Sequence, residues 1–277
     1  MITKKTITSN LMQIYSLTVK DLKLHTRYKL EFIIEFISPL MSIFFPFIIF
    51  STLFNLDLNV FGTYYTRENF ILFLLLGYCV SCLIFLLWNY RDLFYDEKTW
   101  KTLNAVFIAP ISKFNILFGY FISGLISKSI PIAFIVILCY IFYPIPIFFL
   151  ILVLILLFCI SITFAGMGFI LGVFEIVNED ISASLSVGIS FIALVSCLFF
   201  PIEIIPEQFH FIIKCNPLYY YFDLLRLTWW AGISYTDAMK YITINHIIFV
   251  TIFTIITPII ASFLFLRIYK KYGTSGY

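Results

Sequence analysis

Charged residues are scarce in this chain. Only 12% of its 277 residues are charged, whereas 62% are hydrophobic. Soluble domains carry about a quarter charged residues, so this composition leaves too little polar surface to face water. It excludes an ordinary soluble protein and predicts that lipid is the solvent for most of the chain.

The sequence also lacks motifs for phosphate binding, metal binding and catalysis. The closest glycine pair, Gly119 and Gly124, is followed by Leu125, where a phosphate-binding loop needs lysine and a hydroxyl residue. The six cysteines and three histidines lack metal-ligand spacing, and the cysteines are interpreted as small packing residues. An intramembrane enzyme would need clustered His, Asp or Glu at membrane depth. We therefore expect no catalytic residues, no metal, no cofactor bound by this chain and no nucleic-acid partner.

Long apolar runs dominate what is present. Each crossing needs roughly 20 apolar residues, and no alternating strand pattern of barrel type is found. Since a helix satisfies its backbone within one run, we predict an all-α polytopic membrane protein with one domain over residues 1–277. Its six transmembrane helices are expected at residues 36–54, 70–90, 114–143, 147–174, 183–200 and 244–266.

The distribution of Lys and Arg predicts the orientation. Residues 1–35 hold six of them, the 91–113 loop four and the C-terminus three, whereas the opposite loops hold four. Cytoplasmic loops of membrane proteins carry the excess of positive charge. Both termini and the 91–113 loop are therefore expected in the cytosol.

Two segments outside the spans have a mixed character. Residues 10–28 alternate apolar and charged positions, which predicts an amphipathic helix on the cytosolic interface, with its cations toward lipid head groups. Glu31 and Glu35 follow, and either face protein or water inside the first span or remain interfacial. Residues 201–230 are too polar to span twice, which predicts short re-entrant helices in the outer leaflet. We expect the aromatic residues of that segment at the outer interface: Tyr219, Tyr220, Tyr221, Trp229 and Trp230.

Smaller features inside and between the spans give further predictions. Lys128 lies within the third span and either belongs to an ion-coupled pathway or, as we prefer, snorkels toward the cytosolic end. Gly168 and Gly172 have the spacing that permits close helix contact. Residues 143–146 predict a tight turn, and Asp180 or Ser182 is expected to cap the fifth span.

A charged island separates the second and third spans. Residues 92–109 predict a short cytosolic helix that places Trp100, Leu103 and Phe107 in a groove of a soluble partner. Pro110 would end this helix, and Ser112 is expected to cap the next one. The alternative is a bare interfacial loop.

The order and spacing of these features resemble the type-2 ABC-transporter permeases. The best local match is residues 97–112, where that family reads Glu, then Gly-Thr-Leu-Glu, then Thr-Pro-Val-Ser. The matching residues are Glu97, Thr102, Leu103, Pro110 and Ser112, whereas Lys101 and Asn104 replace the usual Gly and Glu. A second match comprises Pro201 and Pro206, Asn216-Pro217-Leu218, and Asp223 with Arg226.

The resemblance implies a fold and a function. The fold has an N-terminal interfacial helix, six spans, a coupling helix at 92–109 and re-entrant helices before the last span. The function is the membrane subunit of an ATP-driven exporter for drugs, lipids or polysaccharides in a prokaryotic plasma membrane. Two separate ATP-binding subunits would bind ATP and Mg²⁺, and a second permease copy, identical or related, would complete the complex. The alternative is a gradient-driven carrier or channel.

The resemblance also implies residue roles. Partner coupling would involve Glu97, Trp100, Lys101, Thr102, Leu103 and Pro110. A structural role in the re-entrant segment would fall to Pro206, Asn216, Pro217, Asp223 and Arg226, the last two as an ion pair spaced i, i+3. Lys128 remains the candidate pathway residue.

Overall fold

The computed structural model describes residues 4–27, 29–55, 70–99, 111–177 and 181–272, and its regular elements there are all helical. Two 3₁₀ turns, Ile202–Ile204 and Glu207–Phe209, accompany the α-helices. The α-helices are α1 Lys4–Arg27, α2 Lys29–Asn55, α3 Phe70–Thr99, α4 Lys113–Phe142, α5 Ile147–Val177, α6 Ser182–Val195, α7 His210–Cys215, α8 Pro217–Ile233, α9 Tyr235–Ala238 and α10 Ile244–Tyr272.

Four helices in the described residues are long and apolar enough to cross a membrane. Their apolar segments are Phe70–Leu93, Phe114–Phe142, Ile147–Glu175 and Ile244–Arg267, which confirms four of the six predicted spans. The other two lie on shorter apolar helices, Phe36–Thr52 and Ser182–Val195. The chain is therefore a multi-pass membrane protein, while the full six-span topology stays a prediction.

The predicted span 183–200 is too long, because α6 ends at Val195. Cys197 has a positive φ of 57°, so the backbone turns away from the helical path immediately after α6. The Arg226 guanidinium donates a hydrogen bond to the carbonyl of Cys197 at 3.0 Å and another to that of Leu198. These bonds satisfy carbonyls that would otherwise lack donors beyond the helix end.

The second predicted span forms the centre of the bundle. In the apolar part of α3, 78% of the residues are buried, whereas in that of α10 only 17% are. Helix α5 approaches α3 closely, since a Cβ added at Gly168 would lie 2.2 Å from the Leu87 carbonyl oxygen, and one at Gly172 would lie 2.5 Å from that of Arg91. The close contact predicted from the glycine spacing is confirmed.

Helix α8 packs inside the protein, and Tyr220, Tyr221 and Trp229 are buried, so their rings contact neighbouring helices; their position at the outer membrane interface stays a prediction. Helix α8 lies between α5 and α10, and its polar atoms find protein partners there. The indole Nε1 of Trp229 donates to the carbonyl of Tyr143 at 3.2 Å.

Tyr221 holds α8 to both of its neighbours. Its hydroxyl lies 2.7 Å from Thr163 Oγ1 on α5, 2.5 Å from Thr254 Oγ1 on α10 and 2.8 Å from the Val250 carbonyl oxygen. We expect Tyr221→Phe to lower the free energy of unfolding by about 1–3 kcal/mol, because two buried hydroxyls lose a partner. Thermal unfolding in detergent measures this loss. The control Tyr140→Phe changes a 41% exposed side chain and should leave the transition unchanged.

Helix α1 lies beside the first half of α4, and the two helices run in the same direction. The Nδ2 atom of Asn115 donates to Gln13 Oε1 at 2.7 Å, Thr18 Oγ1 donates to the Gly119 carbonyl at 3.1 Å, and Ser123 hydrogen-bonds to Asp21. The polar face of α1 is therefore turned toward protein. The exposed residues of α1 include apolar Leu11, Met12 and Tyr15 in its first half and the cations Lys20, Lys23 and Arg27 in its second half.

The predictions for the short connections between helices are confirmed only in part. The tight turn at 143–146 is confirmed between α4 and α5. Ser112 occupies the N-cap position of α4, but the predicted cap is wrong, because its side chain makes no cap hydrogen bond; its backbone N–H donates to Gln13 Oε1 at 3.2 Å. The predicted cap at Ser182 is wrong, since Ile181 is the N-cap residue of α6 and no side chain caps it. Asp180 lies outside the described residues.

Candidate functional site

The predicted partner-coupling residues lie at the edge of the described structure. Glu97 falls in the last turns of α3, which runs to Thr99. The others lie outside the described residues: Trp100, Lys101, Thr102, Leu103 and Pro110. Their contact with a soluble partner stays a prediction. The structure describes α3, which continues through residues 91–99 of the predicted loop, and the start of α4 at Lys113.

Arg91 lies within α3, about two turns before its end at Thr99, and connects three helices. Its Nε lies 3.2 Å from Glu175 Oε2 at the end of α5, and an Nη atom donates to Ser186 Oγ on α6 at 2.7 Å. Nε also donates to Asp92 Oδ1 at 2.7 Å, and the guanidinium lies 4.7 Å from the centroid of the Trp88 ring. Gly172 makes this arrangement accessible, because it lets the α3 backbone approach α5 at Arg91.

The ion pair is deeply buried. Glu175 has 0% exposure and Arg91 8%, and within the part of the chain that the structure describes neither carboxylate oxygen of Glu175 has a hydrogen-bond partner. A buried carboxylate without hydrogen bonds depends on its cation partner, because desolvation strongly disfavours an unpaired charge. The position of Arg91 is therefore linked energetically to the ends of α5 and α6.

Helix α6 is the most weakly packed of the long apolar segments described. Ile189 is its only buried residue within Ser182–Val195. Besides the Arg91 contact at Ser186, the amide of Asn216 donates to the Ile192 carbonyl at 2.9 Å. Few buried apolar contacts mean a low free-energy cost of displacement. We infer that α6 shifts more easily than α3 or α5.

A cavity of about 290 Å³ lies between α2, α3 and α6. Four serine side chains line it: Ser38, Ser42, Ser81 and Ser190. Aromatic rings from Phe85, Trp88 and Phe199 complete much of the wall. None of the described residues lining this cavity is charged.

Ser81 is unusual among these serines. Ser42 and Ser190 donate to the carbonyls of Ser38 and Ser186, one turn earlier in their helices. Ser81 is 8% exposed, and its hydroxyl has no hydrogen-bond partner among the described residues. An unpaired buried hydroxyl costs about 1–3 kcal/mol, so Ser81 is a polar group available to a ligand.

Lys128 does not snorkel to an open surface, in contrast to the preferred interpretation of the sequence. Its side chain is 3% exposed, and Nζ lies 4.8 Å from the centroid of the Phe85 ring. The reason is that α3 and α4 pack together at this level, which encloses the side chain in protein. Lys128 therefore lies behind one wall of the serine-lined cavity and is not part of its lining.

Two of the predicted re-entrant residues, Asp223 and Arg226, line a separate cavity of about 290 Å³ near the N-terminal end of α3. Asp223 Oδ2 lies 2.9 Å from His246 Nε2, while Arg226 binds the carbonyls after α6 and stacks on Phe73. Asp223 and Arg226 thus bind different partners, and the predicted pairing with each other is not among the described contacts. Desolvation raises the pKa of the nearby Glu203 carboxyl, and the Asp223 charge adds to this increase.

The remaining predicted residues of this segment lie at helix starts. Asn216 precedes α8 and accepts a hydrogen bond from the Leu218 backbone N–H at 3.0 Å, with Pro217 as the first helical residue. Pro206 precedes the second 3₁₀ turn. Re-entry of this segment into the outer leaflet stays a prediction.

Sequence reasoning missed Glu175, Ser186 and Ser81. Arg91 and Glu175 directly follow the predicted spans 70–90 and 147–174, on the same side of the membrane and with opposite charges. That complementarity was a usable signal. Ser81 carried none, because a single serine in an apolar run is ordinary and its lack of a partner depends on the tertiary structure.

Comparison with known proteins bears on the whole arrangement. The family model described as ABC-2 type transporter matches residues 12–230, which include α2 to α7, about two thirds of α1 and most of α8. A search of curated proteins gave no match. The matched region covers well over half of the chain and contains the Arg91 contacts, the serine-lined cavity and the turn after α6. The chain therefore belongs to the ABC-2 type transporter family of permeases.

Proposed function

We propose that this chain is the transmembrane permease subunit of an ATP-driven exporter and that separate ATP-binding subunits supply the energy. The chain itself is not an enzyme and binds neither ATP nor Mg²⁺. Its cargo belongs to the drugs, lipids or lipid-linked and polysaccharide substrates. The observation that carries the proposal is the buried Arg91–Glu175 pair, which lies directly before the 92–109 segment near the end of α3.

The geometry supports a mechanical route from a soluble partner to the bundle. A partner that pushes the 92–109 segment displaces the cytosolic end of α3, because the two are covalently continuous. Arg91 passes this displacement to α5 through Glu175 and to α6 through Ser186. Since α6 has little buried surface of its own, it responds most, and the cavity between α2, α3 and α6 changes shape.

We further propose that two permease copies assemble with two ATP-binding subunits. The exposed apolar faces of α2 and α6 are available to lipid or to the second copy, which is identical or related; α2 contributes Met41 and Phe45, and α6 contributes Val187 and Leu194. The complex resides in a prokaryotic plasma membrane with both termini in the cytosol, as the distribution of Lys and Arg predicts.

Charging the coupling segment should separate the permease from its ATPase. We expect Trp100→Glu with Leu103→Glu to abolish co-purification with an ATP-binding subunit from the same gene neighbourhood, because both side chains are predicted to fill an apolar groove. Pull-down and ATPase assays measure this loss. The control Tyr235→Glu alters a 57% exposed residue of the opposite loop and should leave the complex intact.

A gradient-driven carrier is the second candidate, and the buried Lys128 is the observation that favours it. The two functions differ in proteoliposomes that contain only this chain. A carrier moves cargo there without nucleotide and loses that transport in Lys128→Ala. An ATP-driven permease moves cargo only when its ATPase and ATP are added. Full transport by the purified chain alone would therefore contradict the proposed function.

A further inference from the structure

We propose that the cavity between α2, α3 and α6 binds the uncharged, hydroxyl-rich head group of an amphiphile whose alkyl chain occupies a second cavity on the other side of α6. The ligand class is a neutral glycolipid. This inference rests on the proposed permease function, and it narrows the cargo of that permease.

The first cavity has the chemistry of a sugar site. Its serine hydroxyls both donate and accept hydrogen bonds, and Ser81 is a buried hydroxyl without a partner that lines the cavity. The rings of Phe85, Trp88 and Phe199 offer apolar surfaces, which suit the C–H faces of a sugar ring. Hydroxyls together with aromatic faces match a ligand that is itself polar at its edges and apolar on its faces.

Charged head groups fit this lining poorly. A buried cation needs a carboxylate, and a buried anion needs a cation, but the described lining residues supply neither. The ammonium of Lys128 already lies over the Phe85 ring, which disfavours a second cation on that ring. The cavity near Asp223 and Arg226 does have charged residues in its lining, namely Glu203, Lys214, Asp223 and Arg226.

The second cavity has the chemistry of an alkyl-chain site. It measures about 340 Å³ and lies between α3, α5, α6 and α8. Its lining is almost entirely apolar and includes Phe164, Met167, Leu171 and Leu185. A Cβ added at Gly188 would meet no atom within 4 Å, so the α6 side of the cavity is open at this position.

The two cavities adjoin. Ile84, Ile189 and Ala193 line both of them, so the side chain of Ile189, the buried residue of α6, stands between the polar and the apolar space. Ligand sites usually measure about 300–1,000 Å³, so each cavity alone is at the lower limit and the pair falls within the range. A ligand that fills both must join a polar head group to an apolar chain.

Photolabelling of the full chain in lipid nanodiscs tests the proposal. The probe is a dodecyl glucoside with a diazirine in its alkyl chain, and the comparison probes carry the same chain on trimethylammonium or on phosphate. We expect the glucoside to label Met167, Leu171 or Leu185, and unlabelled dodecyl maltoside to displace it. Labelling by either charged probe at these residues should be at least tenfold weaker.

Two variants test the contacts of the head group and of the alkyl chain separately. Ser81→Ala should weaken glucoside labelling about three- to tenfold, the equivalent of one hydrogen bond. It should also raise the thermal stability of the empty protein, since the buried unpaired hydroxyl is removed. Gly188→Leu should fill the apolar cavity and reduce labelling by the glucoside at least tenfold. The control Val187→Leu changes a 70% exposed neighbour and should label as the unmodified chain does.

Several results would overturn the proposal. Equal labelling by the trimethylammonium or phosphate probe would remove the selectivity for neutral head groups. Labelling confined to exposed lipid-facing residues, or unchanged in both Ser81→Ala and Gly188→Leu, would remove the site. These measurements use no ATPase, so a failure here leaves assembly with an ATP-binding subunit intact, and a failure of that assembly leaves the labelling result standing.

Discussion

Gly168→Ala will strongly destabilise the protein. The added Cβ would lie 2.2 Å from the carbonyl oxygen and 2.8 Å from the Cα of Leu87, and backbone atoms of a packed helix do not move aside without separating α3 from α5. Overpacking costs about 1–3 kcal/mol and occasionally more, and a clash with backbone belongs at the upper end. We expect a loss of at least about 2 kcal/mol even after the gain of alanine in helix propensity.

The same substitution at Gly188 is the matched control. Its added Cβ would meet no atom within 4 Å, so only helix propensity changes. We expect Gly188→Ala to keep or raise the stability, by up to about 1 kcal/mol. Fluorescence-detected size-exclusion yield and melting temperature in detergent compare the two variants. Equal melting temperatures would show that α3 and α5 do not approach each other closely at Gly168 and Leu87.

Arg91→Gln is expected to cost about 3–5 kcal/mol, because it leaves the fully buried Glu175 carboxylate without its cation. Glu175→Gln should cost less, about 1–2 kcal/mol, since Arg91 keeps Asp92 and Ser186 as partners. The asymmetry follows from the contacts: Arg91 has several partners, whereas Glu175 depends on one ion pair.

The double variant Arg91→Gln with Glu175→Gln gives the decisive comparison. If the two side chains act as a pair, the double variant should be more stable than Arg91→Gln alone, with a coupling free energy of about 2 kcal/mol. Denaturation of all four proteins in the same detergent measures it. Additive losses would mean that Arg91 stabilises the bundle through Ser186 and Trp88 and not through Glu175.

Hydropathy predicted the long helices well, because the thickness of the hydrocarbon layer directly constrains the length of an apolar run. It failed at the end of α6. The apolar run continues through residue 200, but the helix stops at Val195. Directly beyond that end, the Arg226 side chain binds the carbonyls of Cys197 and Leu198 from a distant part of the chain. No local pattern encodes such a contact.

The interior position of α8 escaped prediction for a related reason. Tyrosine and tryptophan favour membrane interfaces, yet they also suit a protein interior where their polar atoms find partners. Tyr221 and Trp229 find such partners on other helices. Composition alone does not distinguish the two environments, because the distinction depends on which helices become neighbours.

The serine-lined cavity shows why a site built from uncharged residues is hard to predict from the sequence. Its hydroxyls come from α2, α3 and α6, and each is an unremarkable residue in its own helix. Charged residues were easier to identify, because a charge in an apolar run is rare and expensive. Even so, the sequence placed Lys128 at an open surface, whereas packing of α4 against α3 encloses it.

The parallel arrangement of α1 and α4 has a practical consequence for measuring conformational change. Since the two helices are hydrogen-bonded near Asn115, Gly119 and Ser123, they should tilt as one rigid body. A fluorophore attached at Met12, whose side chain is 73% exposed, would therefore report the orientation of α4 without a label inside the bilayer. With a second dye on α10, the distance between the two dyes in single molecules would follow the movement of α4 during the transport cycle.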